Sequence, residues 1–89
     1  MKHITLFHCT NSRSARFVCE EGLKINESSA VTKGKIFLST TPQHIFGCVC
    51  FKVTIPSDWV ELHYGDWEYI CRRNIPVHCI EFHSYEEDE

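Results

Sequence analysis

Several features that place a chain in a specialised class are scarce or missing. Only four glycines, three prolines and one methionine occur among 89 residues, which excludes collagen-like and low-complexity chains. No run of about 18 apolar residues exists, so no segment is long and apolar enough to span a membrane as a helix. The opening segment MKHITLFHCTNSRSA has an apolar stretch too short and interrupted for a signal peptide, and the expected compartment is the cytoplasm. There is no Cys-x-x-Cys pair from which a zinc site usually starts, and no internal repeat. A dominant charge is missing too. The net charge is −3, with acid concentrated in the tail EEDE at 86–89, so no basic footprint exists for wrapping nucleic acid.

The remaining composition is that of one ordinary domain. The expected organisation is a single domain over 1–85 followed by the acidic tail, a frayed and solubilising end. A hydrophobic fraction of 43% allows one modest core. Six cysteines stand at 9, 19, 48, 50, 71 and 79. In a chain with no secretory signal they read as core thiols in preference to disulfides or metal ligands. Cys19, Cys48, Cys50 and Cys79 in particular lie in apolar segments. No metal is expected. The basic pairs Lys33 with Lys35 and Arg72 with Arg73 read as solvated strand ends, with contact to a phosphate as the alternative.

Periodicity gives the elements. HITLF at 3–7 alternates as a strand, with Ile4 and Leu6 on one face. Asn11 or Ser12 can cap a helix over 13–21, whose inward stripe is Ala15, Val18 and Cys19. Gly22 ends it in a positive-φ conformation, and Leu23 folds back over the last turn. Residues 26–35 read as a loop, and KIFLSTT at 35–41 as a strand. Thr41 and Pro42 then open a short helix that stops at Gly47. CVCFKVTI at 48–55 is the clearest strand, burying Val49, Phe51, Val53 and Ile55 on one face. WVELHY and EYICRR flank a turn at Gly65-Asp66, and HCIEF closes the fold. The expected class is α+β: five or six mostly antiparallel strands, one N-terminal helix and one short helix.

Individual residues give no sharp chemistry. Cys9 and His8 are neighbours on an extended chain and point apart, so they form no nucleophile and base pair. Glu61, Asp66 and Glu68 offer carboxylates for glycoside chemistry, but nothing in the sequence sets their separation. The order of several motifs is more specific. His8-Cys9-Thr10 ends the first strand, and the helix after it leads to Gly22-Leu23. Gly34-Lys35-Ile36-Phe37-Leu38-Ser39 then forms a strand, followed by Glu68-Tyr69-Ile70 and the turn Ile75-Pro76. Over 4–82 this succession resembles the ADP-ribosyltransferase fold. The likeness is to its His-Tyr-Glu branch, which includes diphtheria toxin, the poly(ADP-ribose) polymerases and the tRNA 2′-phosphotransferases.

The resemblance implies a small, split β-sheet and a site for NAD. His8 would hydrogen-bond a ribose hydroxyl, the backbone of Cys9 would hold the nicotinamide amide, and Thr10 completes that first binding motif. Phe37 would stack on the nicotinamide ring and Ser39 would support the wall. Glu68 would bind the ribose 2′-hydroxyl and stabilise the cationic transition state, making Glu68 and His8 the catalytic pair. The chemistry is coherent: cleaving nicotinamide from ribose develops an oxocarbenium-like charge, which calls for a fixed ring and a nearby anion. Phe37 replaces the family's tyrosine and keeps the stacking face. Cys9 replaces a glycine. Asp66 stands where arginine-modifying members carry Glu or Gln, which disfavours arginine as acceptor.

Two functions of different class follow. One is a minimal transferase that moves ADP-ribose to a nucleic-acid or protein acceptor, as in phage or bacterial conflict. The other is a non-catalytic module of the same fold that binds an NAD-derived nucleotide or a protein partner as inhibitor or sensor. A small zinc protein is the third reading.

Overall fold

The computed structural model describes residues 2–25 and 33–87. The chain runs β1 (His3–Thr10), α1 (Ser12–Glu21), β2 (Ile36–Ser39), β3 (Val49–Pro56), β4 (Val60–Tyr64), β5 (Glu68–Cys71) and β6 (Ile80–Tyr85). Single 3₁₀ turns occupy His44–Phe46, Ser57–Trp59 and Val77–Cys79. One six-stranded sheet has the order β4-β5-β2-β1-β3-β6, and all five neighbour pairs are antiparallel. The α+β class and the mostly antiparallel sheet are therefore as the periodicity predicts. Most of the expected loop, 26–32, lies outside the described residues.

The sheet is continuous where the resemblance implied a split, but its centre is narrow. β1 pairs with β3 over eight residues from His3 to Thr10, whereas β1 and β2 share only the register pair Phe7↔Ser39. Beyond that pair the two strands separate, because β2 is only four residues long and is held by β5 along its whole length. The short helix predicted after Pro42 is a 3₁₀ turn. The segment between Pro42 and Gly47 has room for one turn, and Gln43 makes no side-chain cap.

One face of the sheet carries the core. Leu6, Leu38, Phe51, Val53, Ile55 and Cys71 are fully buried or nearly so, and Ala15 and Val18 of α1 join the same cluster. Helix α1 forms where expected: Asn11 Oδ1 accepts the Ser14 N–H at 2.7 Å, satisfying a donor the first turn leaves free. Cys19, predicted to face inward, is exposed. Ten residues make fewer than three turns, and the buried stripe is complete with Ala15 and Val18. After α1 the chain is clamped by a two-way bridge, Leu23 N–H to Ile75 O at 3.0 Å and Ile75 N–H to Leu23 O at 2.8 Å.

The cysteines depart from the prediction in another way. Cys9 and Cys50 lie directly opposite each other on β1 and β3, 4.0 Å apart at Cα, and form a disulfide. Both therefore point from the same side of the sheet. Their separation of 41 positions hides this partnership from any reading of local pattern. Cys71 is fully buried as a thiol, and Cys48 and Cys79 are half-buried. The tail is tied at its first residue, since the Glu86 N–H donates to the Cys48 carbonyl at 2.7 Å.

Candidate functional site

The site arises from the narrow centre of the sheet. Where β1 and β2 diverge, a cavity of about 350 Å³ opens between them, lined by His8, Cys9, Phe37, Ser39 and Glu68 together with Phe7 and Phe46. Five of the six positions named from the sequence thus converge. The sixth, Thr10, lies instead at a second cavity of about 370 Å³ on the helix side, with Ser14, Lys24 and Lys35. Strand alternation carries Thr10 to the other face, one residue past the first cavity. His8 and Phe37 line both cavities, so the two adjoin across the gap.

Register explains the convergence. Ser39 stands opposite both Phe7 and Glu68, and Tyr64 stands opposite Glu68, so these four side chains form one row on the face away from the core. Ser39 is buried, and its hydroxyl donates to the Thr41 carbonyl at 2.7 Å with the Phe7 carbonyl at 3.3 Å. Its proton is committed to the backbone, so Ser39 fixes the wall and the turn after it. Glu68 is half-buried and, among the described residues, makes no ion pair. By contrast, Glu61 is held by Arg72 at 2.9 Å, and Arg73 lies over the Trp59 ring at 3.8 Å. The pair Arg72-Arg73 is thereby engaged in surface contacts.

His8 occupies the gap itself. Its Nδ1 lies 2.9 Å from the Phe37 carbonyl, replacing the ladder bond that the diverging strands no longer make. A carbonyl only accepts, so Nδ1 carries the proton and Nε2 is left as an acceptor. Burial holds the His8 pKa below its ordinary 6.5, against the opposing pull of the Phe37 carbonyl, and the ring is neutral at pH 7. This has a measurable consequence. Unfolded chains take up the His8 proton near pH 6.5 while folded chains resist it, so stability is complete above 6.5 and declines as pH falls below it. The slope due to this residue is at most about 1.4 kcal/mol per pH unit. Denaturant titrations between pH 5 and 7 of wild type and His8→Asn, whose amide can still donate to Phe37, are expected to differ by that slope. Parallel curves for the two proteins would rule out His8 as the source.

Four aromatic contributors escaped the sequence reading. Each edge strand carries a register shift, between Leu62 and Tyr64 in β4 and opposite Cys50/Phe51 in β6. The shifts leave His63 and His83 as extra residues turned toward the cavity face. His63 meets Phe37 edge-on at 5.5 Å, and His83 meets Phe7 at 4.9 Å. Phe7 and Phe46 complete the wall. The strand alternation of Phe7 was legible, but Phe46 is brought in by a close approach: at Gly47 a side chain would overlap the Thr10 backbone. Trp67 packs against Tyr64 at 6.2 Å and stands outside the cavity lining.

The chain matches no protein-family model, and no curated protein or solved structure matches it.

Proposed function

We propose that the protein is a small ADP-ribosyltransferase-like enzyme that binds NAD across the two adjoining cavities and transfers ADP-ribose to a protein or nucleic-acid nucleophile. The observation that carries this reading is the meeting of His8, Phe37 and Glu68, 60 positions apart at the extremes, around one cavity of a size typical of ligand sites. Bound there, NAD supplies a glycosidic bond whose cleavage leaves positive charge on the ribose. Glu68 is the only acid lining that cavity among the described residues, in a wall that also carries Phe7, Phe37 and Phe46, where an anion acts on a developing cation with less screening than in water. The Phe37 face holds a cationic ring by stacking and by attraction to its π-electrons. His8 Nε2 accepts a hydroxyl, and the neutral imidazole adds no charge that would oppose the cation. The helix-side cavity carries Lys24 and Lys35, which suit the pyrophosphate half.

The test is direct. At about 100 times its Kd, NAD should stabilise the fold by about 2.7 kcal/mol, which in a domain of this size raises Tm by about 10–20 °C. The same mixture should release nicotinamide, read by mass spectrometry. A shift in Tm without release would favour the second reading, a nucleotide-binding module without catalysis. Cys9 in the place of a glycine, with its side chain tied to Cys50, is the observation on that side. Neither shift nor release would remove both.

A further inference from the structure

A second constellation shares Cys9 with the cavity wall, drawing on its side chain where the nucleotide reading draws on its backbone. Cys9, Cys50 and His44 each present one donor atom, and the three lie within 4.8 Å of one another. We infer that Cys9, Cys50 and His44 form a redox-gated site for a thiophilic metal ion, Zn²⁺ being the natural occupant, open to metal when the Cys9–Cys50 disulfide is reduced.

Three features of the structure converge on it. First, the separation suits a shared ion. Cys50 Sγ lies 3.8 Å from His44 Nδ1, and tetrahedral zinc with bonds of about 2.3 Å to sulfur and about 2.0 Å to nitrogen requires a spacing of about 3.5 Å. Second, the imidazole has an outer partner of the kind that orients metal-bound histidines. His44 Nε2 lies 3.0 Å from Ser84 Oγ, with a Glu86 carboxylate oxygen at 4.0 Å. Donation from Nε2–H to Ser84 selects the tautomer whose Nδ1 lone pair faces Cys50; the Gly47 carbonyl, 3.3 Å from Nδ1, is the partner given up. The register shift opposite Cys50 is what sets Ser84 on this face. Third, Cys9 and Cys50 are paired on well-formed strands. Their Cα positions are therefore fixed, and only side-chain rotation separates the sulfurs.

The chemistry balances in two steps. Two equivalents of a small-molecule thiol donate two electrons and two protons to the disulfide, giving the Cys9 and Cys50 thiols and one small-molecule disulfide. The divalent ion then displaces the two thiol protons and accepts lone pairs from both thiolates and from neutral His44 Nδ1. The fourth position is left to solvent or an outside ligand. Two thiolates and one imidazole select zinc, or cobalt as its probe, over magnesium or calcium.

The experiment is a Co²⁺ titration of the whole chain, oxidised and after reduction with a phosphine, followed by displacement with Zn²⁺. Reduced wild type should bind one equivalent and show sulfur-to-cobalt charge-transfer absorption, and the oxidised protein should show none. His44→Ala should lose most of the binding. Ser84→Ala should weaken it about tenfold to a hundredfold, and Cys48→Ser should leave it unchanged. The buried Cys50 is left unsubstituted: in folded, reduced wild type, added Zn²⁺ should slow alkylation of Cys9 and Cys50 relative to the metal-free reduced chain, mapped by peptide mass, while exposed Cys19 reacts alike in both. No charge-transfer band in the reduced protein, an equal band in His44→Ala, or protection confined to other cysteines would each overturn the site.

Discussion

Replacing Glu68 by Gln is expected to lower nicotinamide release from NAD by about 10²–10³-fold while leaving the fold intact. The size of the effect follows from where the carboxylate sits. Glu68 is half-buried at a cavity lined by Phe7, Phe37 and Phe46, so its charge acts through a medium that screens poorly. Gln keeps the length and one hydrogen-bonding oxygen but loses the charge that opposes the oxocarbenium ion. Ground-state affinity should change little, because the substrate ribose is neutral where the carboxylate meets it; the loss should fall on the rate constant. Single-turnover release with saturating NAD, beside equilibrium binding, separates the two. A variant that binds tenfold more weakly but turns over at the wild-type rate would make Glu68 a binding residue. Circular dichroism and Tm of the variant provide the control for folding.

Gly22→Ala is expected to cost about 3 kcal/mol of stability. Gly22 has φ 81° and ψ −168°, a region open essentially to glycine alone. A β-carbon there would also overlap the Ile75 carbonyl oxygen. That oxygen accepts from the Leu23 N–H in the bridge that ties the end of α1 to the segment after β5. Relief of the clash therefore requires breaking a bridge whose two residues, Leu23 and Ile75, both belong to the buried core. Urea denaturation should show a lower midpoint with an unchanged slope. A loss under about 1 kcal/mol would mean that the bridge shifts without strain and contributes little.

The sequence by itself determined most of the elements and singled out five residues that line one cavity. Alternation in CVCFKVTI placed the central strand, and its four predicted core residues, Val49, Phe51, Val53 and Ile55, are buried. Asn11 and Gly22 marked the two ends of α1 because capping and positive φ are local requirements of the backbone. The motif order nominated His8, Cys9, Phe37, Ser39 and Glu68, which line a common cavity.

Only the tertiary structure decided what depends on register between distant strands. The single Phe7↔Ser39 pair, which makes the cavity by letting β1 and β2 part, is a property of two strands and of neither alone. The Cys9–Cys50 partnership and the approach of His44 arise in the same way, from residues 41 and six positions away from Cys50. Cys19 fell on the exposed side because a helix this short buries two residues and needs no third. The register shifts that turn His63 and His83 toward the cavity leave no mark in local composition. They answer to the twist and pairing of the whole sheet, which local periodicity does not encode.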